Sequence, residues 1–543
     1  MGSYNWQETS VLVNNEKKAT IVAPTKNGYT NGNTATVEAQ LSMKQERGKP
    51  MRQILAAFCS NIGTINTGFA FGFSAVVIPQ LKAADSVLPI DESQASWVAS
   101  LSSASTPVGC ILSGYLMDRW GRKKTLIVTE VPLIFGWLMI AFATNIYMIY
   151  AGRLLVGLGS GMVGAPARVY TSEVTQPHLR GMLTALASIG ISLGVLIQYT
   201  LGSFVTWQVL AGVSTIVPIA ALLLMLLMPE TPNFLIVKQK PEKATKSLAK
   251  LRGSTCNVER EVGQLQNFAE KNHTNVKMTT KETLAAIMSP SALKPFGILF
   301  LYFMMYQFSG VNTITFYAVE IFQDSGTKMD KNMCTIMLGV VRLAFTIVGC
   351  IALRRCGRRP LTFISGIGCG VSMIGLGIYL YYKHMWDNAI PRIEPVNTWF
   401  PVACIFLFTI TCTLGFLVVP WVMIGELYPQ KVRGIIGGMT TCSAHMFVFI
   451  VVKTYPFLSS ILYQYGTFIL YGCISLLGCI FFYKCLPETK GKSLQEIEDY
   501  FSGRVKSLKT KNGSTVLLNY DANLNNTKPP IITVEKDKLL TSS

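Results

Sequence analysis

The sequence predicts an all-α, polytopic membrane protein: twelve transmembrane helices in two six-helix bundles, joined by a cytoplasmic helical linker. Three observations predict it. Half of the 543 residues are hydrophobic and only 14% are charged, where a soluble protein carries roughly 25%. Residues 54–81, 93–117, 296–319, 360–382 and 395–425 contain no Asp, Glu, Lys or Arg, and the uncharged run 182–228 is long enough for two spans at ~20 residues each. Finally, a set of charged signatures occurs twice, in the same order. A β-barrel is excluded, because its strands alternate with a period of two and are half as long as these runs.

Taken in order, the spans are expected near 54–79, 94–116, 125–144, 148–170, 184–204, 207–228, 296–318, 333–353, 361–382, 399–423, 435–458 and 465–485. Glu130, Arg153, Arg168, Arg342 and Lys453 interrupt the third, fourth, eighth and eleventh. Residues 1–50 read as a disordered N-tail, 51–228 as the first bundle, 229–293 as the linker, 294–486 as the second bundle and 487–543 as a C-tail. Within the linker, Pro241-Glu242-Lys243-Ala244 opens a helix that ends at Gly253, following the usual Pro-first, Gly-last asymmetry.

The net charge of +19 does not imply nucleic acid, because Lys and Arg gather at the ends of apolar runs. Lys44, Arg47, Lys49 and Arg52, then Arg119, Arg122, Lys123 and Lys124, then Arg354, Arg355, Arg358 and Arg359, then Lys431 and Arg433 fall on loops of one parity. The positive-inside rule makes that face, and both termini, cytoplasmic. The sequons at Asn272, Asn512 and Asn525 then stay unglycosylated. Most cysteines lie within apolar runs and read as small packing residues. No metal-ligand cluster, nucleophile elbow or Walker pattern is present, so no metal, cofactor, enzymatic chemistry or ATP-driven pumping is expected.

The repeat has three parts. Gly121 and Gly357 centre two basic turns, 236 residues apart. Glu173 with Arg180-Gly181 corresponds to Glu426 with Arg433-Gly434, and Pro229-Glu230-Thr231 to Pro487-Glu488-Thr489. Parallel repeats of this kind imply two bundles related by an axis along the membrane normal, with a solute site between them.

These motifs, Asp118-Arg119-x-Gly121-Arg122-Lys123, Gly152-Arg153, Tyr170-x-x-Glu173, Leu179-Arg180-Gly181 and Pro229-Glu230-Thr231-Pro232, are shared with a known family. So are Gln307-x-Ser309-Gly310-Val311-Asn312, Pro420-Trp421 and Pro487-Glu488-Thr489-Lys490-Gly491. Over residues 50–500 the chain resembles the sugar porters of the major facilitator superfamily. The resemblance implies transport of a small solute, a sugar, across a plasma membrane, by a chain whose oligomeric state is open and for which a monomer is expected.

The repeated charges suggest a cytoplasmic gate. Arg119, Arg122 and Arg180, with Asp118 in the same turn, are expected to pair with Glu173 and Glu230 below the first bundle, and Arg355, Arg358 and Arg433 with Glu426 and Glu488 below the second. Partly desolvated charged hydrogen bonds at ~1.5–3 kcal/mol each would close the inside and break on inward opening. Positive-inside topology with helix capping is the plainer alternative. Arg354 occupies the place of Asp118 in the second turn, which predicts a different arrangement there.

For the central site, the resemblance points to Gln307, Asn312 and Trp421, amides and an indole face suited to a sugar. It also marks departures from a standard hexose site: Tyr306 in place of a Gln, Tyr199 near the place of another Gln, Arg168 for Pro, Arg342 for Asn, and Ala444-His445 for an Asn-Trp pair. A charge at membrane depth faces a cavity or a partner. Arg342 therefore either makes the site more positive, together with His445, or pairs with an acid such as Glu320, or snorkels outward. Proton-coupled members of the family carry an Asp in the first span, near the fourth-span Arg; here that place is Ser74, opposite Arg153. This implies a uniporter, with His445 leaving symport open. An anionic solute and a non-transporting sensor are the other readings.

Overall fold

Long apolar sequences leave a helix as the one economical way to satisfy every backbone group in lipid. The computed structural model describes residues 49–253, 257–271, 280–390, 394–429, 432–492 and 494–505, and these contain no strand. The expected N-tail up to residue 48, the C-tail beyond 505, the three sequons and Lys431 lie outside the described residues.

The first eight helices are α1 (Pro50–Lys82), α2 (Glu92–Trp120), α3 (Arg122–Ala141), α4 (Ile146–Val174), α5 (Pro177–Leu183), α6 (Leu186–Gly202), α7 (Trp207–Ser214) and α8 (Ile216–Leu227). Short helices α9 (Pro232–Val237), α10 (Pro241–Arg252), α11 (Val258–Lys271) and α12 (Thr280–Ile287) follow. Then come α13 (Pro290–Phe308), α14 (Val311–Phe316), α15 (Ala318–Asp324), α16 (Lys331–Arg355), α17 (Arg358–Asn388), α18 (Phe400–Leu414), α19 (Val419–Leu427), α20 (Arg433–Cys485) and α21 (Leu494–Phe501).

Local chemistry sets the ends. Asp91 and Gln94 form a capping box at the start of α2, Asn145 accepts from the Met148 N–H at the start of α4, and Asp330 caps α16, each supplying an acceptor to otherwise orphaned N–H groups. The helix opened by Pro241 stops at Gly253, whose φ of 76° suits a residue without Cβ.

By length and composition, nine helices among the described residues can cross a membrane, and ten if the bent pair ending in α13 counts as one span. One of the nine, α20, is 53 residues long and breaks at Tyr463, where φ is 56°. The helix α2 has 29 residues but falls short on apolarity, because seven of them are Ser. Three expected spans are discontinuous: the sixth breaks at Thr215 between α7 and α8, the seventh breaks at Gly310 between α13 and α14, and in the tenth α18 gives way to α19 over residues 415–418.

Helices α1–α8 pack on one another, chiefly α2 on α4, α1 on α6 and α3 on α4; α13–α20 do likewise, chiefly α17 on α20 and α18. Small residues set the distance: a Cβ on Gly157 would collide with the Ser102 carbonyl of α2, the close backbone approach that small residues allow in membranes. The two groups meet along α2 against α20, α6 against α16, and α1 against α14 and α15.

Candidate functional site

The two basic turns are built alike. In the first, the backbone N–H groups of Arg122 and Lys123 donate to Glu230 Oε1 at 3.1 and 3.0 Å. In the second, those of Arg358 and Arg359 donate to Glu488 at 3.0 Å each. A carboxylate from beyond the last helix of each half thus caps the N-terminus of α3 or α17, where the helix dipole favours a negative charge. Gly121 is required on two counts: its φ is 99°, and a Cβ there would lie 2.5 Å from Glu230 Oε2. Burial opposes the Glu488 charge, but these N–H groups and Arg358 outweigh it and lower its pKa.

Within each turn one arginine finds an acid. The Arg122 guanidinium sits 3.0 Å from Glu173, and Arg358 Nε donates to Glu426 at 3.1 Å. Neither pair joins the two halves; each ties a turn to a neighbouring helix of its own half. The other expected partners are corrected by the structure. Arg119 donates to Tyr115 of its own helix, and Arg433 to the Tyr428 carbonyl. Asp118, Arg180 and Arg355 make no ion pair among the described residues. The reason is reach: only the arginine just after each central glycine lies alongside α4 or α19. Arg354, the odd residue of the second turn, points across to the other half, where a Cβ on Gly181 would meet its Nη2 at 3.4 Å.

The opposite end of the molecule is joined across the halves. Lys82, at the end of α1, lies 2.9 Å from Glu320 of α15 and 2.8 Å from Glu92. Lys453 of α20 donates to Ser96 of α2 at 2.7 Å and stands 3.8 Å above the Trp97 ring. Glu320 is therefore the partner of Lys82, not of Arg342. The sequence offered weak signals for this latch: Lys453 interrupts an apolar run, and Glu320 closes another.

Between the ends, the expected solute-site residues fall into three groups. Gln307 and Asn312 flank the break at Gly310, are buried, and hydrogen-bond to each other, Asn312 Nδ2 to Gln307 Oε1. Trp421 packs edge-on against Phe303 at 4.9 Å, beside His445 at 5.9 Å, with the Arg168 guanidinium 5.5 Å from its ring centre. Tyr199 and Arg342 line a cavity of about 20 Å³ with Thr315, Thr409 and Thr413, space for one water and too little for a sugar. Tyr199 Oη donates 2.7 Å to the Thr315 carbonyl, linking the halves, and Arg342 Nη1 donates 2.7 Å to Thr315 Oγ1. Arg342 is 6% exposed, so it does not snorkel outward. Tyr306 is buried between Phe303 and Phe416. The three threonines were not anticipated, since nothing in a sequence tells which face of an apolar helix turns inward.

A family profile described as "Sugar (and other) transporter" matches residues 37–501. The chain belongs to this family. Relatives include the facilitated trehalose transporter Tret1 of Bombyx mori, 33% identical over 475 residues that cover 86% of this chain and 92% of that one. Tret1 of Polypedilum vanderplanki is 34% identical, with 84% and 89% covered. Among solved structures, an inward open conformation of the xylose transporter XylE from E. coli has a TM-score of 0.66 at 20% identity, over 81% of this chain and 98% of that one, which establishes a shared fold. As a member of the sugar (and other) transporter family, this is a multi-pass membrane transporter and not an enzyme. Against that background the surroundings of Arg153 gain meaning. Fully buried, it donates to the carbonyls of Ala70, Val98 and Ala99 and to the hydroxyls of Ser74 and Ser102, at 2.6–3.3 Å. All five acceptors are neutral.

Proposed function

We propose that this protein is a facilitative uniporter for a sugar, a hexose or a trehalose-like disaccharide, working by alternating access of two six-helix halves. The observation that carries the uniport reading is the neutral shell of Arg153. A carboxylate beside that arginine would change charge on protonation and bias the conformational equilibrium; Ser74 cannot. Relatives named as facilitated trehalose transporters support the substrate class. In this reading the chain crosses the membrane twelve times: α20 counts twice at Tyr463, and the bent seventh span and the Ser-rich α2 each count once. The basic turns face the cytoplasm with both termini, the membrane is the plasma membrane, and each monomer holds its own path.

The mechanism follows from where the links lie. Pairs at the basic end brace each half internally, so each half moves as a unit. Links at the far end join the halves, so this conformer is closed there. Opening outward requires Lys82 to leave Glu320 and Lys453 to leave Ser96. The test is uptake of labelled trehalose and glucose by cells expressing the protein, with and without a protonophore. Saturable uptake unchanged by the protonophore is expected. Normal surface expression without uptake of either sugar would sink the substrate reading, and collapse of uptake under the protonophore would sink uniport.

A further inference from the structure

We infer that Arg342 is the anchor of an anion subsite on the solute path, taking one monovalent anionic group: a free halide, or the carboxylate of an acidic sugar. The inference rests on reading the interface of the two halves as that path. A guanidinium carries five N–H donors and a permanent charge. Arg342 is buried, and among the described residues only Nη1 has a partner, the neutral Thr315 hydroxyl. Its Nε is buried with no acceptor among the described residues. No carboxylate of the described residues stands within 4 Å of it. An uncompensated charge held in this way is costly and marks a pathway or a ligand.

The cavity beside Arg342 identifies the chemistry of its occupant. Of the hydroxyls around it, Thr315, Thr409 and Thr413 each donate to the carbonyl four residues earlier in their own helices, and Tyr199 donates to the Thr315 carbonyl. Their hydrogens are spent, so the unused donors at this wall belong to Arg342. A ligand that only accepts hydrogen bonds and carries a negative charge satisfies them; a neutral hydroxyl leaves the charge unmatched. The space of about 20 Å³ takes a single small group, the size of a halide or of the tip of a larger solute.

The test uses the full-length protein in nanodiscs, with thermal unfolding followed against sodium glucuronate, its neutral methyl ester and sodium chloride, at constant ionic strength set with sodium HEPES. Glucuronate should raise the midpoint saturably with about tenfold or higher affinity than the ester; this identifies a carboxylate. A saturable shift with chloride that glucuronate does not compete away identifies a free halide. Arg342→Gln should abolish either shift. Equal responses to glucuronate and ester with no response to chloride would overturn the inference, as would shifts that survive in Arg342→Gln. The charged-versus-ester comparison is made on wild-type protein, so it decides even when the variant does not fold. Labelled trehalose uptake on the same preparation separates the two readings. Uptake without an anion response removes the subsite alone; an anion response without uptake removes the sugar assignment alone.

Discussion

Removing Lys82 should loosen the far end of the transporter without unfolding it. Lys82 spans the halves, and its two acids differ. Glu92 is 76% exposed at the side chain, whereas Lys82 and Glu320 are each 23% exposed. An exposed pair contributes ~0–1 kcal/mol, so the Glu92 arm contributes little. The Glu320 arm is a partly desolvated charged hydrogen bond, ~1.5–3 kcal/mol. Lys82→Ala should therefore move the equilibrium toward outward opening by roughly 10- to 150-fold. Lys453–Ser96 and Tyr199–Thr315 remain, so closure is weakened and not abolished. Hydrogen exchange measured by mass spectrometry on nanodisc-embedded protein reports this directly. Amides of α14, α15 and the first turns of α2 should exchange faster by the same factor, while α3 and α17 stay unchanged. Glu320→Gln should reproduce most of the effect and Glu92→Gln little of it. Equal exchange in Lys82→Ala and wild type, or an equal response to Glu92→Gln and Glu320→Gln, would refute the latch.

Three further outcomes concern the basic turns and the buried arginine. Glu488→Gln should cost ~0.5–2 kcal/mol of stability, the value of a helix cap, read as a lower unfolding midpoint. Because the Glu488 pKa is lowered from 4.5 in the folded protein, its contribution is complete above that ordinary value. It is lost as pH falls through the lower folded one, so the difference between wild type and Glu488→Gln should vanish in strong acid. Arg122→Ala should destabilise by ~3 kcal/mol or more, because Glu173 is left nearly buried and uncompensated; adding Glu173→Gln should recover part of that loss, and strict additivity in the double-mutant cycle would show that the two are uncoupled. Ser74→Val should cost ~1–3 kcal/mol by removing an acceptor from a buried guanidinium, yet leave sugar uptake insensitive to a protonophore; an acquired sensitivity would contradict the neutral-shell account.

The parts of this fold legible in the sequence are those fixed by local pattern. Apolar run length located most helices, and the order of the repeated signatures suggested two equivalent halves. The capping of α10 by Pro241 and Gly253 was readable for the same reason. What was not readable depends on rotation about helix axes and on contacts over long separations. Glu230 and Arg122 were recognisable as gate candidates, but their geometry, a carboxylate on two backbone N–H groups 108 and 107 residues away in sequence, needs the packed structure. Gln307 and Asn312 were picked for their amides, yet here they satisfy each other, while Thr315, one turn on from Val311, faces the cavity. The serines that depress the apolarity of α2 are used over long separations: Ser102 accepts from Arg153, Ser105 donates to the Leu154 carbonyl of α4, and Ser96 accepts from Lys453.

The two ends of the molecule differ in kind, and the repeat explains why. Every element of the three recurring signatures that forms a polar link does so within one half: Glu230 and Glu488 on helix N-termini, Arg122 with Glu173, Arg358 with Glu426. The repeated signatures therefore brace each half internally. The links across the halves at the other end, Lys82 to Glu320 and Lys453 to Ser96, belong to none of those signatures, and Arg354, which carries the charge opposite to that of its counterpart Asp118, reaches toward the opposite half. An alternating-access transporter needs this division: strong, equivalent bracing inside each half and separately adjustable contacts between them. Substitutions in the repeated set should then lower stability with little change in the balance of conformers, whereas substitutions at Lys82, Glu320, Lys453 or Arg354 should shift that balance with little change in stability.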